Sequence, residues 1–131
     1  MKLSPKNTPF RLTLGQRGEM AVWHFLVKEG YKILEKNYQC NLGEIDVVAE
    51  KGGRIRFIEV KTRTSDRFGS PEEAVTLTKQ KKLSKLASFY LKEKQKIDSP
   101  VSFEVAAVHW SRESAPQIKI IENAFVDEDG V

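Results

Sequence analysis

Two runs rich in β-branched and aromatic residues, Ile45-Asp46-Val47-Val48-Ala49 and Ile55-Arg56-Phe57-Ile58-Glu59-Val60-Lys61, flank the dipeptide Gly52-Gly53. Such runs fit a pleated surface, and Gly-Gly suits the two-residue turn that joins antiparallel strands. The pattern predicts a hairpin. Side chains alternate along a strand, so Glu59 and Lys61 share one face while Ile58 and Val60 take the other. The hairpin also brings Asp46 alongside Glu59. Two carboxylates and a lysine then converge on one sheet surface.

The rest of the chain fits around this hairpin. Residues 1–14 are polar and basic, with Pro5 and Pro9, and read as a flexible basic arm. Residues 15–131 read as a single domain. From about Gly15 to Glu29 an apolar stripe of Val22, Trp23, Leu26 and Val27 predicts a helix, with Gly30 as its C-cap. Tyr31-Lys32-Ile33-Leu34-Glu35 reads as a strand ending at polar Lys36-Asn37. Ser70-Pro71-Glu72-Glu73 carries a cap residue, a proline at the first helical position and an acid at the third, which together predict a helix start. Thr76 or Thr78 interrupts this region, which also fits a short turn before the main helix. Leu83, Leu86, Ala87, Tyr90 and Leu91 recur at helical spacing, with Lys81, Lys85, Lys92 and Lys96 opposite. Val101 to His109 and Ile118-Lys119-Ile120-Ile121 read as two further strands. The order is α-β-β-β-α-β-β, an α/β fold with a mixed sheet.

Charge is unevenly distributed. Residues 51–96 carry thirteen Lys/Arg and five Asp/Glu, whereas residues 97–131 carry two and seven. A basic middle third suggests a surface facing a polyanion, and it equally fits a solvated lysine-rich helix. Cys40 is the single cysteine, which excludes an intrachain disulfide and a multi-thiolate zinc site. The apolar runs are too short to span a membrane, and the N-terminus lacks an apolar signal core, so a cytoplasmic protein is expected.

Close carboxylates repel, and burying either is costly. A hard divalent cation relieves both problems, since Mg²⁺ binds through one or two carboxylates and keeps waters for a substrate phosphate. A lysine beside it can hold the attacking water and offset charge on phosphate. Asp46, Glu59 and Lys61 fit that chemistry, and they also fit a structural salt bridge on an exposed sheet face. Glu19 shares a helix face with Val22, Trp23 and Leu26, which turns it toward the sheet; an acid favoured by the helix dipole is the other reading. Arg63 and Arg67 from the loop, and Lys79, Gln80 and Lys82 from the second helix, are within reach of a phosphate backbone, although each alone more often reads as a solvated charge. Glu44 reads as solvent-facing. His24 and His109 read as packing or surface residues, and Cys40 lacks the partners of a catalytic nucleophile.

Three segments, Gly43-Glu44-Ile45-Asp46, Phe57-Ile58-Glu59-Val60-Lys61-Thr62-Arg63 and Phe68-Gly69-Ser70-Pro71-Glu72-Glu73-Ala74-Val75, together resemble the YraN-like family of bacterial proteins. Gly15-Gln16-Arg17-Gly18-Glu19, Gly30-Tyr31-Lys32-Ile33-Leu34 and Ile121-Glu122-Asn123-Ala124-Phe125 match its pattern too, so the resemblance spans nearly the whole chain. That family is similar to PD-(D/E)xK nucleases, in particular archaeal Holliday-junction resolvases. The resemblance implies a restriction-endonuclease-like fold, a mixed β-sheet of about five strands flanked by helices. It implies a metal-dependent endonuclease hydrolysing DNA phosphodiester bonds, with branched or junction DNA as the suggested substrate.

In that reading Asp46 matches the motif aspartate, Glu59 the second acid, Lys61 the lysine and Glu19 the helix glutamate of the resolvase-like branch. Asp46, Glu59, the Val60 carbonyl and Glu19 would hold Mg²⁺ or Mn²⁺. The chain departs from the pattern at Ile45, where the motif has proline, and at Glu104, where the fourth strand has an aspartate. The competing expectation is a non-catalytic module that keeps the fold and binds nucleic acid or a protein partner; a third is that RNA or a nucleoprotein is the true target. A homodimer suits a junction that needs two cuts.

Overall fold

The computed structural model of the protein describes residues 12–64, 75–111 and 115–125. Helix α1 spans Leu14–Lys28, followed by strands β1 (Lys32–Cys40), β2 (Gly43–Lys51) and β3 (Arg54–Arg63), helix α2 (Leu77–Glu93), and strands β4 (Val101–His109) and β5 (Gln117–Phe125). The strands form one sheet in the order β1-β2-β3-β4-β5. Every neighbouring pair is antiparallel except β3 and β4, which run parallel with α2 in the crossover between them. This is the expected α-β-β-β-α-β-β mixed α/β fold.

The hairpin forms where Gly-Gly allows it. Gly52 and Gly53 have φ of 64° and 74°, as a mirror-image turn requires. Register runs from Lys51↔Arg54 to Val47↔Ile58. The helices cover opposite faces. Val22 and Leu26 of α1 pack with Val47, Ala49, Ile58, Ala106 and Val108. Leu83, Leu86, Ala87, Tyr90 and Leu91 of α2, the apolar face read from spacing, pack with Val48, Ile55, Phe57 and Phe103. Lys81, Lys85, Lys92 and Lys96 stay exposed.

Boundaries differ from the sequence expectation in informative ways. Helix α1 begins at Leu14, because Thr13 caps it: Thr13 Oγ1 accepts from the Gln16 amide at 3.0 Å while Gln16 Oε1 accepts from the Thr13 amide at 2.9 Å. Thr13 and Leu14 therefore belong to the helix, and residues 1–11 of the expected arm lie outside the described residues. At the other end Gly30 (φ 93°) follows the cap residue Glu29, and the Tyr31 and Gly30 amides donate to the Leu26 and Val27 carbonyls, a Schellman closure.

Strand β1 does not stop at Lys36-Asn37. It continues to Cys40, because Asn37 adopts φ 53° within the strand and pairing resumes at Tyr38↔Ile45. Strand β5 likewise extends to Phe125, whose ring stacks on Phe103 at 4.8 Å. The expected helix start at Ser70-Pro71-Glu72-Glu73 lies outside the described residues. Helix α2 is capped by Thr76 at Lys79.

Glu104, the fourth-strand acid, is 1% exposed on β4. Its Oε2 accepts from Arg56 Nη1 at 2.6 Å and from Ser102 Oγ at 3.2 Å. Strand alternation places it with Ala106 and Val108 on the α1 side, away from the face that carries Glu59. No helix among the described residues is long and apolar enough to cross a membrane.

Helix α1 meets β3 at Gly18, where an added Cβ would collide with Thr62 Oγ1 and crowd the rest of that side chain. Gly18→Ala is therefore expected to destabilise the fold by roughly 1–3 kcal/mol. Gly15→Ala meets only Thr13 Oγ1 at 3.9 Å. It should be neutral or stabilising by up to about 1 kcal/mol. Urea denaturation of both variants checks the pair.

Candidate active site

The carboxylates meet where β2 and β3 stop pairing through their backbones. Just past Val47↔Ile58, Asp46 Oδ2 accepts the Val60 N–H at 2.8 Å, so a side chain takes the place of the next ladder bond. Glu59, one residue earlier on β3, is 7% exposed. Its Oε2 lies 3.4 Å from Lys61 Nζ and 2.7 Å from Lys79 Nζ. Lys79 comes from the first turn of α2. Ile58 and Val60 point into the α1-side core, as alternation requires.

Burial is what perturbs these groups. It pushes the Asp46 carboxyl up to about 7, with the Glu59 charge adding to it and the Val60 hydrogen bond opposing it. Burial also lowers Lys61, against the upward pull of Glu59, and Lys79 lowers it further. For Lys79 itself burial pulls downward, but the Glu59 hydrogen bond and charge leave its ammonium above the ordinary value. Glu19 is raised by burial and by Glu44, with its Asn37 bond opposing.

Glu19 reaches the site from α1 through Asn37. With its amide nitrogen turned toward the two acids, Asn37 donates to Glu19 Oε1 at 3.3 Å and Glu44 Oε2 at 3.1 Å. Glu44 is exposed, as read, yet it borders the same cleft. That cleft holds about 240 Å³ and is lined by Glu44, Asp46, Glu59, Lys79, Lys82, Leu83 and Leu86.

The donor set suits a hard cation. Asp46 and Glu59 supply carboxylate oxygens, and burial with the neighbouring Glu59 charge raises the Asp46 carboxyl, a cost that a bound cation would offset. The fit is partial. Among the described residues no three His, Cys, Asp or Glu side chains converge into a ready-made cage. Two lysines already occupy Glu59 Oε2, and Glu19 connects through Asn37 and not directly.

Residues 18–108 match the model of the family described as Uncharacterised protein family UPF0102. The chain belongs to this family. It is 47% identical over 115 residues to a UPF0102 protein of Thermodesulfovibrio yellowstonii, covering 88% of this chain and 97% of that one. A UPF0102 protein of Geobacter metallireducens is 44% identical over 113 residues, covering 86% and 92%. One from Caldicellulosiruptor saccharolyticus is 41% identical over 113 residues, covering 86% and 96%. This is the family that the sequence resemblance indicated.

The residues read as phosphate contacts fare differently. Lys82 is exposed at the cleft. Lys79 is turned onto Glu59. Gln80 Nε2 donates to the Val75 carbonyl at 3.0 Å, so its amide serves the start of α2. Arg63 is partly buried, with Nη1 donating to the Thr62 carbonyl at 3.2 Å. Arg67 lies outside the described residues. His24 is exposed, His109 is partly buried at the end of β4, and Cys40 packs at the edge of the α2-side core. Two contributions escaped the sequence reading: Asn37 and the Lys79–Glu59 contact. Asparagine's tolerance of positive φ was the available signal for the first. The second joins residues twenty apart and had none.

The shift at Asp46 fixes a sign. A carboxyl raised in the folded state costs stability once it ionises, so the penalty grows from about pH 4 to its full size above pH 7. Asp46→Asn keeps an acceptor for the Val60 amide and removes that charge. It is expected to raise stability at pH 8 by on the order of 2 kcal/mol, with the gain vanishing near pH 4. Urea unfolding of both proteins across this range is the check.

Proposed function

We propose that this chain is a metal-dependent nuclease that hydrolyses DNA phosphodiester bonds. The observation that carries this reading is the convergence of Asp46, Glu59 and Lys61 at one end of the β2–β3 hairpin, with the Asp46 carboxyl held near neutrality by burial. Groups perturbed by burial together with specific charged neighbours in a cleft are typical of functional sites. The resemblance of the same residues to the PD-(D/E)xK motif supports the assignment.

Asp46 and Glu59 would hold Mg²⁺ or Mn²⁺, with the Val60 carbonyl as a further ligand and Glu19 completing the site directly or through water. The cation would supply a Lewis acid for the phosphate and lower the pKa of a bound water. Lys61 is walled in beside Glu59 and would position the attacking water and offset charge developing on the phosphate. Water adds to phosphorus, one P–O ester bond breaks, and the departing oxygen takes up a proton. Lys82 and the basic loop would hold the backbone by phosphate contacts that carry little sequence information, which suits recognition of DNA shape at a branch.

A second reading is a nucleic-acid-binding module that retains the fold without cutting. It is favoured by one observation: Glu59 already has two lysine partners, so the fold does not depend on a metal.

Cleavage of a labelled panel with Mg²⁺ or Mn²⁺ separates the two. The panel comprises linear duplex, single strand, flap, four-way junction and RNA. The nuclease reading expects cutting by the wild type, abolished by EDTA and reduced at least ~100-fold in Lys61→Ala and Asp46→Ala. Absence of cutting under every condition, with salt-dependent binding that survives EDTA, establishes the module instead.

A further inference from the structure

Lys79 occupies a place that helix energetics do not favour. It lies in the first turn of α2, where aligned peptide dipoles disfavour a cation, and that turn has no acidic residue to offset it. Its amide donates to the Thr76 cap at 3.2 Å, but its side chain leaves the helix for Glu59 Oε2, 2.7 Å away. The same oxygen has Lys61 Nζ at 3.4 Å. Two ammonium groups thus flank one carboxylate oxygen. They differ in freedom: the Lys61 side chain is 17% exposed, that of Lys79 40%.

We propose that Lys79 is an exchangeable counter-cation of Glu59, which holds the carboxylate while the site lacks a divalent cation and turns to a nucleic-acid phosphate when one binds. This inference rests on the metal-dependent reading above. A divalent cation held by Asp46 and Glu59 places positive charge beside both ammoniums, and like charges close together repel. Lys61, the less exposed of the two, has less freedom to leave. Lys79 has more, and Lys82 already lines the same cleft. Displaced from Glu59, the Lys79 ammonium, which already borders this cleft, is free to pair with phosphate beside Lys82, so cation binding and phosphate capture become linked and each strengthens the other. Lys79 is on this account a substrate-binding residue: it sets the charge of the site and, once displaced, contacts a phosphate without touching the reacting atoms.

Calorimetric titration of Mn²⁺ into wild type, Lys79→Gln and Lys79→Arg tests the exchange. It is paired with fluorescence anisotropy of a labelled duplex, with and without Ca²⁺ at constant ionic strength. The glutamine variant loses the competitor and should bind Mn²⁺ roughly tenfold more tightly, as expected for about one pKa unit's worth of interaction. A purely structural role for Lys79 would weaken Mn²⁺ binding or leave it unchanged. The arginine variant should stay close to wild type. Ca²⁺ should strengthen DNA binding by the wild type and much less by Lys79→Gln. Lys79→Met, which keeps most of the stem, replaces the glutamine variant if thermal melting shows that variant unfolded. Equal or weaker Mn²⁺ binding by the neutral variant overturns the exchange and leaves the metal-dependent reading standing. A wild type that binds no Mn²⁺ overturns both.

Discussion

The Asp46–Val60 hydrogen bond is the interaction around which the candidate site is organised. At the end of the β2–β3 ladder a backbone N–H needs an acceptor, because an unpaired buried amide is costly. A carboxylate supplies it at 2.8 Å and is thereby brought in beside a second carboxylate. The sheet gains a satisfied amide and takes on a charge that water no longer solvates. Everything polar around Glu59 compensates for that placement, and the compensation is unequal: Glu59 has two ammoniums, whereas Asp46 has a backbone donor and remains raised to about 7.

Such an arrangement persists only on a rigid frame. The hairpin is clamped between helices on opposite faces, and each helix delivers part of the site. Helix α1 approaches β3 at Gly18, where only a hydrogen fits against Thr62, and Glu19 is the next residue. Helix α2 lays Leu83 and Leu86 on the other face and brings Lys79 and Lys82 to the cleft. The parallel β3–β4 pairing then fixes the strand that carries Glu59, Val60 and Lys61 along its other edge. Arg56 bridges this same pair to Glu104, with Arg56 Nε and Nη2 also donating to the Lys51 carbonyl. That charge pair, with Glu104 buried and Arg56 partly exposed, lies on the α1 side and does not line the cleft. The fourth-strand acid of this chain is thus a structural residue, whatever its counterpart does elsewhere in the family pattern.

Local rules made much of this legible. Gly52-Gly53 between apolar runs led directly to the hairpin, and period-two alternation placed Glu59 and Lys61 opposite Ile58 and Val60. Helical spacing picked out the α2 face that is buried, and Val101–His109 emerged with its observed limits. The failures have physical causes. Lys36-Asn37 read as a strand end because asparagine favours turns, yet its positive φ is absorbed within β1. The α1 cap falls in the expected arm because Thr13 looks like any polar residue until Gln16 reciprocates its bond. The limits of β5 depend on Phe125 stacking on Phe103, a contact across strands that no local window contains.

By itself, then, the sequence determined the hairpin and the identity of the three groups that converge on it, since these follow from side-chain alternation and turn chemistry close along the chain, and it determined the order of elements through apolar periodicity. Tertiary structure alone decided how those groups are charged and partnered. The raised Asp46, the Asn37 link between Glu19 and Glu44, and Lys79 bound to Glu59 all depend on burial and on helix positions. Desolvation and charge proximity act through space, and residues far apart along the chain become neighbours only once the two helices have closed on the sheet.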